Sequence, residues 1–358
     1  MTAPPQQAWF RAQRLRSQHL DGRAASPLEV VRTLGAVQAQ NGSAARWAIG
    51  VRSPGCAQAD IERLFDSGDL VRSWTMRGTL HIVAADDLGW MLALTSARQR
   101  GAVAREARVR GMDESEFERA SELIVQDVEQ NGPRTRAEAL STLEGAGIPV
   151  GDERGYRFIR DAALRGRVAW GPMRGKQPQL VLVQPAGEHD RDELLARYLV
   201  RYVAGHAPAT VRDFAWWSGL TLTDARRARE AAGSALETAG DEEWLIEAGR
   251  TQSDAIASTP SGVQAVPGWD EYVLGYADRS PVLDPEFAPR VSATGNGVFL
   301  PTILSAGRVV GTWRQSVQGP RVVAEAQPFT RLTAAEQRGF DGSMHRLSQF
   351  LGLEAAPR

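Results

Sequence analysis

Two glutamines one residue apart, Gln38 and Gln40, bracket Ala39 at the close of an apolar-periodic stretch (Leu28, Val31, Leu34, Val37) and open onto Asn41-Gly42. The period predicts a helix over 27–39, with Ser26 before Pro27 as its N-cap and first-turn signal. The pair then sits at a frayed helix end, where both carboxamides can turn toward one ligand. A neutral carboxamide is not a useful general base. It can hold a water and present an oriented dipole to charge that develops in a reaction. The structural alternative is that the two side chains only cap a helix end.

Other chemistry-bearing residues cluster in three places. Residues 71–83 read as two β-rich arms around Arg77-Gly78. Arg77 at the tip can grip phosphate or enter a groove, and Trp74 and Met76 beside it can wedge against bases. His81 on the return arm either faces a ligand or satisfies a buried hydrogen bond. Asn41 and Arg46, just beyond the glutamines, join this nucleic-acid-facing set. In Asp270–Ser280 a β-like alternation puts Tyr272, Leu274 and Tyr276 on one packed face, with Asp278-Arg279 as an ion pair at a turn and Arg279 a further DNA candidate. Trp313-Arg314 ends a strand where an aromatic beside a guanidinium can reach a DNA backbone, although Trp313 also suits a core. The five histidines have no metal-ligand spacing, and no phosphate-cradling glycine loop, nucleophile elbow or dinucleotide turn is present. The single Cys56 leaves no internal disulfide and no multi-cysteine zinc site. No metal and no cofactor is expected.

The elements that must position these residues form a repeating pattern of short helices followed by a two-stranded wing. The expected fold is α+β, mainly α with β wings: three tandem winged-helix domains, then a small β-barrel-like domain. Winged helix 1 occupies 1–110, with helices at 6–20, 27–39 and 57–67 and the 71–83 hairpin. Winged helix 2 occupies 111–188, with helices at 114–130, 135–144 and 154–166 and strands at 168–170 and 180–183. Both wings carry Met-Arg-Gly, at 76–78 and 173–175, which supports duplication. Winged helix 3 occupies 189–255, with helices at 191–204, 209–219 and 223–232 and a strand at 243–247. Acidic residues (Glu237, Asp241, Glu242, Glu243, Glu247) make it architectural, because they repel phosphate. Residues 248–262 read as a connector. The barrel-like domain, 256–358, takes strands near 291–294, 298–300, 302–304, 308–313 and 322–324, a hairpin at Asn296-Gly297, and a helix over 333–351.

A chain of 358 residues with 42% hydrophobic content fits several soluble domains. Neither a membrane-spanning run nor a signal peptide is visible, so the expected location is the cytoplasm, at the nucleoid. Lys176 is the sole lysine, and residues 1–110 carry fifteen arginines against nine carboxylates. That is +6 in a chain of net charge −1, which points the N-terminal region toward nucleic acid.

Taken together, Gln38-Ala39-Gln40, Val71–Val83, Asp270–Ser280 and Gly307–Arg314 resemble the bacterial AlkZ family of winged-helix DNA glycosylases, over almost the whole chain. One branch of that family carries Gln-x-Asp, and this chain resembles the Gln-x-Gln branch. The resemblance implies excision of bulky N7-alkylated purines and unhooking of interstrand crosslinks, for DNA repair or self-resistance to a genotoxin. It implies Gln38 and Gln40 as catalytic residues and double-stranded DNA as partner; tandem units within one chain, with no heptad segment for dimerisation, make a monomer the expected state. The chemistry agrees, since an N7-alkylguanine is already a cationic leaving group and asks of the protein only a positioned water and aligned dipoles. The alternatives are a non-enzymatic winged-helix transcription regulator and a lesion-binding protein that does not cleave.

Overall fold

The computed structural model describes residues 4–23, 25–184, 187, 189–239, 244–249, 262–292 and 297–355. The first stretch holds α1 (Pro4–Ser17), α2 (Pro27–Leu34), β1 (Val37–Gln38), α3 (Gly42–Gly50), α4 (Gln58–Asp66), β2 (Leu70–Met76), β3 (Thr79–Ala84) and α5 (Ala85–Arg108). Then come α6 (Glu114–Asn131), β4 (Arg134–Thr135), α7 (Arg136–Gly145), α8 (Arg154–Leu164), β5 (Val168–Arg174) and β6 (Gln177–Leu182). They are followed by α9 (Arg191–His206), α10 (Val211–Ser218), α11 (Leu222–Ala232), β7 (Leu236–Ala239) and β8 (Trp244–Glu247). The last stretch holds β9 (Val263–Val266), α12 (Glu271–Leu274), α13 (Ala288–Val291), β10 (Thr302–Ser305), β11 (Arg308–Gln318), β12 (Arg321–Pro328), α14 (Ala334–Leu351) and β13 (Glu354–Ala355). The chain is mixed α+β and forms two compact units, Met1–Ile61 with Leu195–Arg358, and Glu62–Leu194.

Local sequence sets the helix ends. Capping boxes open α2 (Ser26, Glu29), α6 (Asp113, Glu116), α7 (Thr135, Glu138), α10 (Thr210, Asp213) and α14 (Thr333, Glu336), each satisfying backbone N–H groups that have no intrahelical partner. Gly35, at φ 76°, ends α2 at Leu34, well before the expected residue 39. A left-handed residue turns the chain out of the helix, and Val37-Gln38 continues as a strand. Helices α3 and α5 lie where no helix is expected from the periodicity.

In the unit Glu62–Leu194, β2 pairs with β3 from Leu70↔Ala84 to Met76↔Thr79, and β5 with β6 from Val168↔Leu182 to Arg174↔Gln177. Arg72↔Trp170 joins the two hairpins into one sheet, and β4 adds to β6 through Arg134↔Leu180. Arg77 (φ 52°) and Gly78 (φ 72°) are both left-handed, the geometry that closes a two-residue hairpin. Helix α5 props this tip from behind. Gly78 N–H donates to Gln99 Oε1 at 3.1 Å, and Gln99 Nε2 and Thr95 Oγ1 both donate to the Thr75 carbonyl.

His81 lies fully buried within that hairpin. Its Nδ1 is 3.0 Å from Thr75 Oγ1 and 3.1 Å from the Thr79 carbonyl, while its Nε2 is 3.4 Å from Arg77 Nη2. Burial holds its pKa well below the ordinary 6.5, the Arg77 charge adds to the depression, and the Thr79 carbonyl opposes it. The ring is therefore neutral at pH 7, with Nδ1–H donating and Nε2 accepting from Arg77.

In the other unit, the C-terminal strands form an open sheet in the order β13-β12-β11-β10-β9. Among the described strands it does not close into the expected barrel, because β9 and β13 each have a single neighbour there. Helix α14 covers β9, where Ser343 Oγ accepts from Ala265 N–H at 3.0 Å. The runs expected as strands near 291 and 298–300 are not strands. Val291 ends the one-turn α13, and the Phe299 carbonyl and Leu300 N–H bond to Trp269 and Val291. Nor is 270–276 extended. Asp270 captures Tyr272 N–H at 2.9 Å and starts the one-turn α12, so Tyr272, Val273, Leu274 and Tyr276 are all buried instead of alternating. Strands β7 and β8 form a short hairpin, registered Leu236↔Glu247 to Ala239↔Trp244. Asp241, Glu242, Glu243, most of the 248–262 connector, Ala293-Thr294 and Asn296 lie outside the described residues.

The core of this unit holds a charged group. Arg52 and Asp270, 0% and 1% exposed, form a two-pronged ion pair at 2.7 and 2.8 Å. Arg52 also donates to the Gln18 carbonyl (2.9 Å), Gln18 Oε1 (2.8 Å) and the Ala48 carbonyl (2.8 Å), so all five guanidinium donors are used. Gln18 Nε2 in turn donates to Tyr276 Oη, which donates to the His206 carbonyl.

Two predictions concern stability. Arg52→Ala and Asp270→Asn each leave a buried charge or donor set without its counterpart, and each is expected to cost about 3–5 kcal/mol in chemical denaturation. Arg52→Lys is expected to recover little, since an ammonium has three donors where five are needed. The second follows from His81. Its folded pKa is depressed, so between that value and 6.5 the unfolded chain binds a proton that the folded chain does not. Stability is thus fully present above about pH 6.5 and falls as the pH drops below it. His81→Gln is expected to flatten that decline in thermal melts between pH 5 and 7, and an unchanged slope counts against a buried neutral ring.

Candidate active site

Gln38 closes the two-residue strand β1, and Gln40 lies two residues on in the turn that leads to α3. In extended backbone, residues i and i+2 share a face, so the one-residue spacing brings the carboxamides together where a helix end would splay them. Gln38 Nε2 donates to Gln40 Oε1 at 3.1 Å. Ala39, on the opposite face, is 0% exposed, which explains why only a small residue stands between them. Gln38 is 7% exposed and Gln40 is solvent-accessible. The pair is thus half-anchored, with one amide in the protein wall and one at its surface.

The next residues along the chain fix the pair in place. Asn41 Oδ1 accepts from Ala44 N–H at 3.0 Å and starts α3, and Arg46 Nη1 donates back to the Gly42 carbonyl at 3.1 Å. Asn41 and Arg46 thereby brace the first turn of α3. On its far side, Trp47 Nε1 donates to the Ala265 carbonyl at 3.0 Å, and Gly50 packs so closely on Phe350 that an added Cβ would lie 2.5 Å from its ring. The close approach requires glycine there. Arg52, just past the end of α3, ends in the buried ion pair with Asp270. No sequence signal announces this support: Arg52 and Trp47 stand in no motif, and α3 is too short and too apolar for a clear helical period.

The remaining site residues divide by exposure. Trp74 (2% exposed) packs its ring edge-on against Tyr156 at 5.7 Å, and Met76 is 0% exposed, so both build the inner face of the hairpin and do not wedge between bases. His81 is the buried acceptor beneath Arg77. Arg77 itself is half-buried at the tip. Trp313, 3% exposed, donates from Nε1 to the Val266 carbonyl at 2.8 Å and belongs to the sheet core. Arg314 is exposed and pairs with Glu325 at 2.6 Å. Arg279 Nε donates to the Val273 carbonyl at 2.9 Å, and its guanidinium lies 5.2 Å from the Trp216 ring and 5.0 Å from that of Phe299. Asp278 accepts from Ser280 through backbone and hydroxyl.

The geometry can orient a water and align dipoles, and it contains no metal-binding set. Among the described residues no group of three His, Cys, Asp or Glu is placed to hold a metal ion. A cavity of about 640 Å³ lies elsewhere, lined by Thr210, Arg212, Arg226, Trp244 and Asp278 among others, and neither glutamine borders it. No described helix is long and apolar enough to cross a membrane.

Comparison with known proteins gives the family of the chain. Residues 31–350 match the family described as DNA glycosylase AlkZ-like. An interstrand DNA cross-link repair glycosylase of Streptomyces sahachiroi is 27% identical over 325 residues, covering 84% of this chain and 86% of that protein. The solved structure of the Streptomyces sahachiroi DNA glycosylase AlkZ shares the fold, with a TM-score of 0.80 at 23% identity over 100% of this chain and 99% of the other. The family match takes in the glutamine pair, the first hairpin and strands β9 to β12 of the C-terminal sheet, and the chain therefore belongs to the AlkZ-like family of DNA glycosylases.

Proposed function

We propose that this chain is a monofunctional glycosylase that hydrolyses the N-glycosidic bond of bulky N7-alkylpurines in double-stranded DNA and unhooks interstrand crosslinks, in repair or in self-resistance to a genotoxin. The observation that carries the reading is the hydrogen-bonded carboxamide pair, Gln38 Nε2 to Gln40 Oε1, with Gln40 open to solvent. The similarity to the Streptomyces cross-link repair glycosylase supports it. A protonated or anionic group is needed to expel an ordinary neutral base, whereas a base made cationic by N7-alkylation leaves readily. The task that remains is to hold a water near C1′ and to stabilise an oxocarbenium-like sugar. A carboxamide oxygen that accepts from water turns a water lone pair outward, and its dipole stabilises the positive sugar.

In this reading the helices preceding each of the three hairpins make three winged helices, within modules 1–110, 111–188 and 189–255, and 256–358 forms the module that seats α3. This is a division into repeated units, and it need not coincide with compactness. Arg77, Arg46, Arg279 and Arg314 supply DNA contacts from the surface, Gln38 and Gln40 act on the lesion, and the protein works as a cytoplasmic monomer at the nucleoid.

Gln38→Ala and Gln40→Ala are expected to keep fold and lesion-DNA affinity while lowering single-turnover release of N7-alkylguanine, by up to about 10²–10³ as at other sites that lose one aligned dipole. Gln40→Asp is expected to retain more activity than Gln40→Ala, because a carboxylate also orients water and stabilises a cation. Wild-type rates in both alanine variants and their double variant would sink the assignment. A second test concerns the chemistry. Lys176, the one lysine of the sequence, sits in the β5–β6 turn, and no lysine accompanies the glutamines in sequence for Schiff-base chemistry. Base release is expected to survive EDTA, and borohydride is expected to trap no protein–DNA adduct; efficient trapping would replace hydrolysis with a lyase mechanism.

A further inference from the structure

The arginines on and just after α8 have nearly all been given carboxylate partners. Arg154 meets Glu116 at 2.6 Å, and Arg157 meets Glu153 at 3.1 Å and Glu106 at 3.4 Å. Arg165 is held by Asp161 and Glu114, each at 2.5 Å, and by Glu118, which also takes Arg167. Arg160 differs. Among the described residues it has no hydrogen-bond or ion-pair partner, although it is half-buried and its Nε is shielded from solvent. Its Nη2 lies where a side chain on Gly78 would begin, 3.3 Å from that Cβ position, so the guanidinium rests on the turn of the first hairpin beside Arg77.

One helical turn before Arg160, and so on the same face, stands Tyr156. It is 36% exposed, unusual for a large aromatic, and its ring is fixed edge-on against buried Trp74. Within this unit, α6, α7, α8 and the β5–β6 hairpin follow the order of a winged helix, in which α8 is the third helix, the one that faces DNA. Most of α8 cannot do so here, since Arg157, Phe158, Ile159 and Asp161 are buried. Tyr156 and Arg160 are what that face still presents.

We propose that Arg160, with Tyr156 beside it and the Arg77-Gly78 turn beneath it, is a binding site for one backbone phosphate of duplex DNA. A planar fork with free donors suits a phosphodiester, and a buried guanidinium edge without a partner is satisfied when one arrives. The exposed tyrosine ring supplies the apolar wall against the adjoining deoxyribose. The site deepens the DNA-glycosylase reading and rests on it.

The test uses full-length protein and an undamaged duplex oligonucleotide, with affinity measured by fluorescence anisotropy at several salt concentrations, alongside release of N7-alkylguanine from alkylated duplex. Removing one phosphate contact is expected to reduce the log–log salt slope by about 0.9 in Arg160→Ala, while Arg160→Lys, which keeps a charge, retains the wild-type slope. Tyr156→Ala is expected to weaken binding without moving the slope, because its contact is uncharged. Thermal melts check the fold, and Arg160→Gln, which keeps the buried stem, replaces the alanine variant if that does not fold. If the wild type binds duplex and releases base but Arg160→Ala and Arg160→Gln bind with the wild-type slope and affinity, the phosphate site is wrong and the glycosylase reading stands. If the wild type itself neither binds duplex nor releases base, the reading fails and takes the site with it.

Discussion

The ion pair between Arg52 and Asp270, two residues 218 positions apart, is the constraint on which the order of the larger unit depends. A guanidinium that is 0% exposed must be fully satisfied, and this one is satisfied only if three separate pieces of chain meet. They are the end of α1 at Gln18, the last turn of α3 at Ala48, and the start of α12 at Asp270. Hydrophobic burial of Tyr272, Tyr276 and their neighbours supplies the driving force, but apolar contacts tolerate sliding. Five directed hydrogen bonds do not.

That rigidity matters at the other end of α3. From Asn41 to Arg52 the segment is fixed by its cap, by Trp47 on the Ala265 carbonyl, by Gly50 under Phe350, and by the ion pair. The glutamine pair lies immediately before it. In the proposed chemistry the glutamines act by orientation alone, with no charge and no proton to give, and such groups need their backbone held to within a fraction of an ångström. The C-terminal sheet and α14 thus hold the segment that carries the glutamine pair, although no residue of theirs is a glutamine's neighbour in sequence.

Features of the sequence that act locally are legible, and features that act across the chain are not. Ser26 before Pro27 announces α2, because an N-cap and a first-turn proline are complete within two residues, and α6 and α14 begin within a residue of where they are expected. The hairpin at Arg77-Gly78 is equally plain. Helix α3, bounded by glycines and leading through Trp47 to Arg52 and their distant partners, carries no such message, and α5 mixes buried Asp87, Thr95 and Gln99 with its apolar residues in a way that blurs the period. The stretch 270–276 looks extended from its alternation of tyrosines, yet one captured N–H at Tyr272 coils it. At the site, the glutamine pair is legible as a pair, but the apolar period places it at a helix end because Gly35, the actual stop, interrupts that period without breaking it.

Charge is the least transparent quantity. The +6 of residues 1–110 suggests a basic surface, but it counts Arg14 and Arg52, both 0% exposed, and Arg100, which is shared between Glu114 and Asp161. Arginines that hold a fold together contribute little to the field outside it, since their charge is matched or enclosed. The same holds around α8, where six carboxylates (Glu106, Glu114, Glu116, Glu118, Glu153, Asp161) absorb four of the five arginines. What such a chain can offer to a polyanion is decided by which guanidinium is left over, and that is a property of packing which no sum over the sequence contains. Arg160 stands out only when every neighbouring charge has been assigned its partner.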